Sequence, residues 1–233
     1  MALPKIDLPI TEVILPSSKA KVKLRSFTVK EEKILLVAGE ANDAMTELMA
    51  IKQVINNCLV DSDVDNMAMI DLEYVFLKLR ASSVDNLTKF TVKDPDTDER
   101  VELEMNLDEV ECVSDERHTN EVHINEEYVL YLKHPTIDEF AHIITMDPKD
   151  ALTNYFIMIS CLDTLASDDE VHNFNDYNNE EIDEFMDNLD GGSIKQIQTF
   201  FETLPKLRHE MKYTNSEGKE QTFVVEGVRS FFI

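Results

Sequence analysis

Residues 70–84, IDLEYVFLKLRASSV, constrain the fold more than any other stretch of the chain. At the α-helical period Ile70, Tyr74 and Leu77 fall on one face, and Leu72, Val75, Phe76 and Leu79 on the opposite one. Charges occupy the seams between: Asp71 with Lys78, and Glu73 with Arg80. An ordinary surface helix has a single apolar stripe and a broad polar back. A helix with two apolar faces needs cover on both sides. Most apolar helix faces are core, so the expected place is central, between two layers of the same chain. Cover of one face by another protein is the competing arrangement.

At 233 residues the chain is long enough for one large domain or two small ones, and its 43% hydrophobic content supports a real core. Forty-seven acidic residues against 22 basic ones give a net charge of −25. Such a chain is self-repelling and soluble. Binding to nucleic acid or to an anionic membrane depends on cations that displace counterions from phosphate, so this balance argues against both. It favours a basic or mixed protein partner. An acidic regulatory or DNA-mimic protein is the alternative that the same charge allows, although the acidity is spread along the chain. Cys58, Cys112 and Cys161 are widely spaced, in apolar contexts and without a CxxC pair. They read as buried free thiols of a reducing cytosol. The opening MALPKIDLPITEV has no apolar run of signal-peptide length, and no window approaches the roughly 20 apolar residues of a membrane span. The protein is therefore expected in the cytosol when made.

Thr11–Leu15 and Ala20–Phe27 alternate and join through Pro16-Ser17-Ser18-Lys19, which predicts a hairpin. Thr28 to Glu31 (TVKE) is a capping box that opens a helix to about Glu40, with Glu31 placed to reach back to the Thr28 amide. A second helix over roughly 43–59 precedes the two-faced one. Strands follow at Leu87–Lys93 and Arg100–Met105 around the turn DPDTDE, then at Val110–Val113, Glu121–Ile124 and Tyr128–Lys133. A capping box from Thr136 to Glu139 opens a short helix, and Asp147-Pro148 caps the next. The run ALTNYFIMISCL is apolar nearly all round and is expected to be buried. An acidic helix at about 179–189 stops at Gly191-Gly192, and Ser193 with Gln196 caps a helix ending near Leu204-Pro205. Leu207–Tyr213 and Thr222–Val225 close the chain as a hairpin. Segregated strands and helices predict an α+β fold of β-hairpins and short antiparallel strands packed with helical layers. A boundary near 134 would divide it into residues 1–134, with hairpin, helices and β region, and 135–233, helical with the C-terminal hairpin.

No catalytic constellation is visible. Asp61, Asp63 and Asp65 look like the start of an EF-hand loop, but its turn glycine is Asn66 here and its final bidentate glutamate is Leu72. These carboxylates read as an acidic loop that favours the next helix N-terminus. The histidines show no metal spacing: His118 and His123 lack an HExxH frame or a cysteine partner, and His134 and His209 read as ordinary polar positions. No GxSxG, Walker loop or GxGxxG occurs, and five glycines leave little material for a phosphate-cradling loop. Carboxylate pairs arise by chance in so acidic a chain. No catalytic, metal-binding or cofactor-binding residue is assigned, and an enzyme with an unrecognised carboxylate site is the weaker alternative.

Four stretches carry a family resemblance: the N-terminal opening, FTVKEEKILLVA at 27–38, IDLEYVFLKLRASSV at 70–84, and TLPKLRHEMKY…VVEGVRSFF at 203–232. In that order they span nearly the whole chain, which resembles the baseplate hub protein family of T-even-type contractile-tailed bacteriophages, the small hub or hub-assembly subunits. The resemblance implies a non-enzymatic part in building the central hub of the tail baseplate through contacts with other baseplate hub or tail proteins. It implies the host cytoplasm during assembly, with or without retention in the virion tail baseplate. A dedicated assembly chaperone absent from the mature virion is the alternative within that class. Some members carry CxxC pairs in the middle or C-terminal hairpin that look zinc-binding. Here those turns are DPDTDE and NSEGKE, so zinc is not carried over.

The resemblance also suggests interaction roles for the two-faced helix and the C-terminal tail. Adjacent Phe231 and Phe232 on a terminus call for burial, in the chain's own body or in a partner, each worth about 1.5–3 kcal/mol. Arg229, Phe231 and Phe232 are thus candidate partner-binding residues, with Glu180, Glu181, Asp183 and Glu184 of the acidic segment 168–190. The N-terminal hairpin is a third flank on which a partner surface is expected.

Overall fold

The computed structural model describes residues 7–41, 43–83, 86–144 and 151–226. The fold is α+β. In chain order it forms β1 (Ile10–Ile14), β2 (Lys21–Arg25), α1 (Val29–Ala41), α2 (Ala44–Cys58), α3 (Met69–Ser83), β3 (Leu87–Lys93), β4 (Arg100–Asn106) and β5 (Glu111–Val113). There follow β6 (Glu121–His123), β7 (Val129–Leu132), α4 (Ile137–Ile144), α5 (Ala151–Ser160), β8 (Leu162–Ala166), β9 (Val171–Asn173), α6 (Asn179–Asp187) and α7 (Gly191–Glu202). The hairpin β10 (Lys206–Thr214) and β11 (Glu220–Glu226) comes last. The expected Asp147-Pro148 cap lies outside the described residues.

Two compact units share the chain. Residues up to Val113 join those from Lys206 onward in the first, and Ser114–Pro205 form the second. A cut near 134 falls between β7 and β8, which are hydrogen-bonded neighbours in the four-stranded antiparallel sheet β6-β7-β8-β9. Strand pairing, not sequence order, sets the division. The closing hairpin returns to mid-chain, where Leu207 on β10 pairs with Cys112 on β5.

In the first unit α3 is covered on both faces. Ile70 and Leu77, with half-buried Tyr74 and Ala81, join a core with Phe90, Val92, Leu103, Met105, Leu207 and Met211 from the β3–β4 and β10–β11 hairpins. Leu72, Val75 and Leu79 on the opposite side are fully buried, and Phe76 nearly so. α2 packs against α3, and the β1–β2 hairpin is tied to it by hydrogen bonds. The seam residue Asp71 is itself buried and accepts hydrogen bonds from the backbone N–H (2.8 Å) and hydroxyl of Ser17 in the β1–β2 turn. The Glu31 arm of the Thr28 capping box forms as the sequence predicts: Glu31 accepts from the Thr28 amide at 3.0 Å and from its hydroxyl at 2.6 Å, and pairs with Arg25 at 3.0 Å, while the Thr28 hydroxyl accepts from the Lys30 amide at 3.3 Å. Burial pushes the Glu31 carboxyl up, but these donors outweigh it and hold the group at about 2.

The second unit is built on Val122, Leu130, Leu132, Cys161, Leu162, Met186, Ile197 and Phe200. Its Thr136–Glu139 capping box also forms, with the Thr136 amide 2.7 Å from Glu139 Oε2. Four expectations give way here. α5 ends at Ser160, and the apolar run continues as strand β8, because β7 offers an edge to pair with. α5 is only partly buried, with Phe156 43% exposed. Gly191-Gly192 do not stop a helix but form the first turn of α7, capped by Asp190, which accepts from Ser193 N at 2.7 Å. Gln196 is not a capping residue. Its amide pairs with the backbone of His123, accepting from N–H at 3.2 Å and donating to C=O at 3.3 Å, and so ties α7 to β6.

Candidate docking surfaces

The sequence places α1 with Glu31 and Ala38 inward, where both are buried. A 3.6-residue period then turns Val29 and Leu36 outward, and Val37 beside them. These side chains are 64%, 64% and 69% exposed, an apolar stripe on a helix whose inner face is already satisfied. On β1 the alternation that buries Val13 leaves Ile10 and Ile14 outside with Glu12 between them. β1 pairs only with β2 among the described residues, so its other edge carries unpaired backbone groups there. The hairpin was an expected partner surface; the α1 stripe was not. Its only sequence signal is ILLV, four consecutive apolar residues at 34–37, more than one helix face can bury.

The acidic segment divides by role. On α6, Ile182, Phe185 and Met186 face the core of the second unit. Glu181 closes a capping box with Asn178, accepting from its amide at 2.9 Å, so this carboxylate holds the helix end. Asp183 accepts from the Tyr155 hydroxyl at 2.6 Å and fixes α6 to α5. Burial first, and then this carboxylate, push the Tyr155 phenol up to about 12. Glu180 and Glu184 are exposed. Arg229, Phe231 and Phe232 lie outside the described residues.

Charge that looks even along the sequence is uneven between the units. Residues 114–205 carry 21 acidic and 4 basic residues, −17 of the chain's −25. The expectation of evenly spread acidity is corrected on this point: strand pairing assigns the lysine- and arginine-rich hairpins β1–β2, β3–β4 and β10–β11 to the other unit. Among the described residues no three His, Cys, Asp or Glu side chains converge as a metal site, and no helix is long and apolar enough to cross a membrane. The acidic loop after α2 is stapled by its own backbone, with Asp65 N–H on Asp63 Oδ1 at 3.0 Å, and by Asp61 on Lys23 at 3.6 Å.

The sequence pattern of one family, described as T4 bacteriophage base plate protein, matches residues 8–233. No curated protein and no solved structure matches the chain.

Proposed function

The chain belongs to the T4 bacteriophage base plate protein family, and we propose that within the baseplate it takes part, without enzymatic activity, in assembling the central hub through contacts with other hub or tail proteins. The observation that carries this reading is the family match over nearly the whole chain, joined to apolar side chains that the fold leaves bare. Ile10, Ile14, Leu36 and Val37 are each more than half exposed in a chain with core to spare. Burying one such side chain at an interface contributes about 1.5–3 kcal/mol. The acidic second unit, with Glu180 and Glu184 on α6, would select and steer a partner bearing lysine and arginine, as complementary charge does in protein association. The tail with Arg229, Phe231 and Phe232 is a further proposed anchor.

Assembly would take place in the host cytoplasm. Co-purification from infected cells of the parent, of a chain truncated after Arg229, and of a Leu36→Ser/Val37→Ser variant tests the reading. A parent that captures no baseplate protein would sink it. Mass spectrometry of purified virions against infected lysate then separates a retained subunit from an assembly chaperone that leaves before the tail is complete.

A further inference from the structure

His118 and His134 are sixteen residues apart in sequence, yet their Nε2 atoms lie 3.4 Å apart. Both rings are held by Phe200, itself buried: His118 stacks on it with centroids 5.2 Å apart, and His134 meets it edge-on at 5.8 Å. The tautomer of His118 follows from its other nitrogen. Thr203 Oγ1 gives its hydrogen to the Thr199 carbonyl at 2.7 Å, so at its 3.0 Å contact with His118 Nδ1 it accepts. Nδ1 of His118 is therefore the protonated nitrogen, and in the neutral ring Nε2 presents a lone pair toward His134.

At 3.4 Å this is a hydrogen bond at the long end of the range, with His134 Nε2–H facing the His118 lone pair, and a bound dication would displace that proton. Two nitrogens held about 2.0–2.1 Å from a tetrahedral zinc lie about 3.3–3.4 Å apart. The Thr203 contact is also what a metal-bound histidine needs, a hydrogen-bond partner for the nitrogen that does not ligate. We propose that His118 and His134 form a two-histidine site for a transition-metal dication of the zinc type, separate from the hairpin turns of the first unit. The chain supplies two nitrogen donors. The nearby carboxylate of Asp115 is held by the Arg117 guanidinium at 2.8 and 3.0 Å, so water or a residue of a bound partner completes the coordination. The net charge of −17 on residues 114–205 draws dications toward the unit without selecting among them. The imidazole pair provides the selection, since magnesium and calcium prefer oxygen.

The test is calorimetric titration of zinc into the full chain with magnesium in excess, so that surface carboxylates are already occupied. A single equivalent should bind, and His118→Ala and His134→Ala should each abolish it, while His123→Ala and His172→Ala bind as the parent does. Thr203→Val, which removes the acceptor for His118 Nδ1, should weaken zinc binding about 10–100-fold while melting as a folded protein. Ring-nitrogen NMR of the parent covers the case in which the alanine variants fail to fold: zinc should shift Nε2 of His118 and His134 and leave the other histidines in place. Unmoved Nε2 signals, or a doubly substituted protein that binds zinc as tightly as the parent, would overturn the site.

Discussion

Tyr213 on β10 donates its phenolic hydrogen to Asp94 Oδ2 at 2.8 Å, and this bond joins the tips of two hairpins that are more than a hundred residues apart. Asp94 is fully buried at the start of the β3–β4 turn. Its other oxygen accepts from the Asp96 and Thr97 amides at 3.0 and 2.9 Å, from the Thr97 hydroxyl at 3.1 Å and from Asn215 at 3.4 Å. Asp96 adds a second link by accepting from Gln221 at 2.6 Å and pairing with Lys219. These are the DPDTDE and NSEGKE turns, and a buried carboxylate surrounded by donors connects them.

Asp94 should therefore carry part of the acid sensitivity of the first unit. Burial pushes its carboxyl up, but the Thr97 and Asp96 amides, Tyr213 and Asn215 outweigh burial and bring it from 3.8 to about 2. A depressed carboxyl contributes stability that is present above its ordinary value and is lost as pH falls from 3.8 through about 2. Asp94→Asn should lower the melting temperature at neutral pH, and the gap to the parent should close across that acid window. Tyr213→Phe should act in the same direction and less. An Asp94→Asn protein that melts with the parent at every pH would show that the turns are held by something else.

The two-sided cover of α3 predicts that neither face tolerates truncation. Leu77→Ala on the hairpin side should cost about 2–5 kcal/mol, and Phe76→Ala on the opposite, equally buried face about 3–5 kcal/mol, in denaturant unfolding of the isolated protein. A Phe76→Ala chain as stable as the parent that no longer captured a partner would make that face an interface instead.

Local chemistry made much of this fold legible. The reach of Glu31 back to the Thr28 amide and that of Glu139 back to the Thr136 amide are short-range bonds that the sequence states outright, and both form. The two-faced helix was readable because both stripes lie within a single element. What escaped reading depends on distant partners. Leu162–Ala166 is a strand because β7 and β9 lie on either side of it, and Gln196 is drawn from a capping role to the distant backbone of His123. The His118–His134 contact has no sequence signal at all, since a loop and a strand end bring it together. Of the proposed surface residues, Glu181 and Asp183 are spent on holding α6, a division of labour that composition cannot reveal.

The thiols should report burial by their rates. Burial raises Cys161 to about 12 and Cys58 to about 11, and it raises the half-buried Cys112 as well. Thiolate is the reactive form, so native-state labelling with a disulfide reagent at neutral pH should be slow at all three. Cys112 should react first because its side chain is the least covered. Fast labelling of Cys161 in native buffer would mean that the junction of α5 and β8 opens readily and that the core of the second unit is misassigned.

The exposed stripe on α1 gives the sharpest separation of stability from binding. Leu36 and Val37 lie outside every packed layer, so Leu36→Ser/Val37→Ser removes apolar surface from water without opening a cavity. The change in unfolding free energy should stay within about 0.5 kcal/mol per substitution. If the stripe is where a baseplate protein docks, co-purification from infected cells should fall steeply with the double variant. Glu180→Gln/Glu184→Gln should instead leave capture intact at high salt and weaken it at low salt, because exposed charges act through a screened field. Undiminished capture by the serine variant would clear α1 of any part in docking and leave the outer face of β1, with Ile10 and Ile14, as the surface to substitute next.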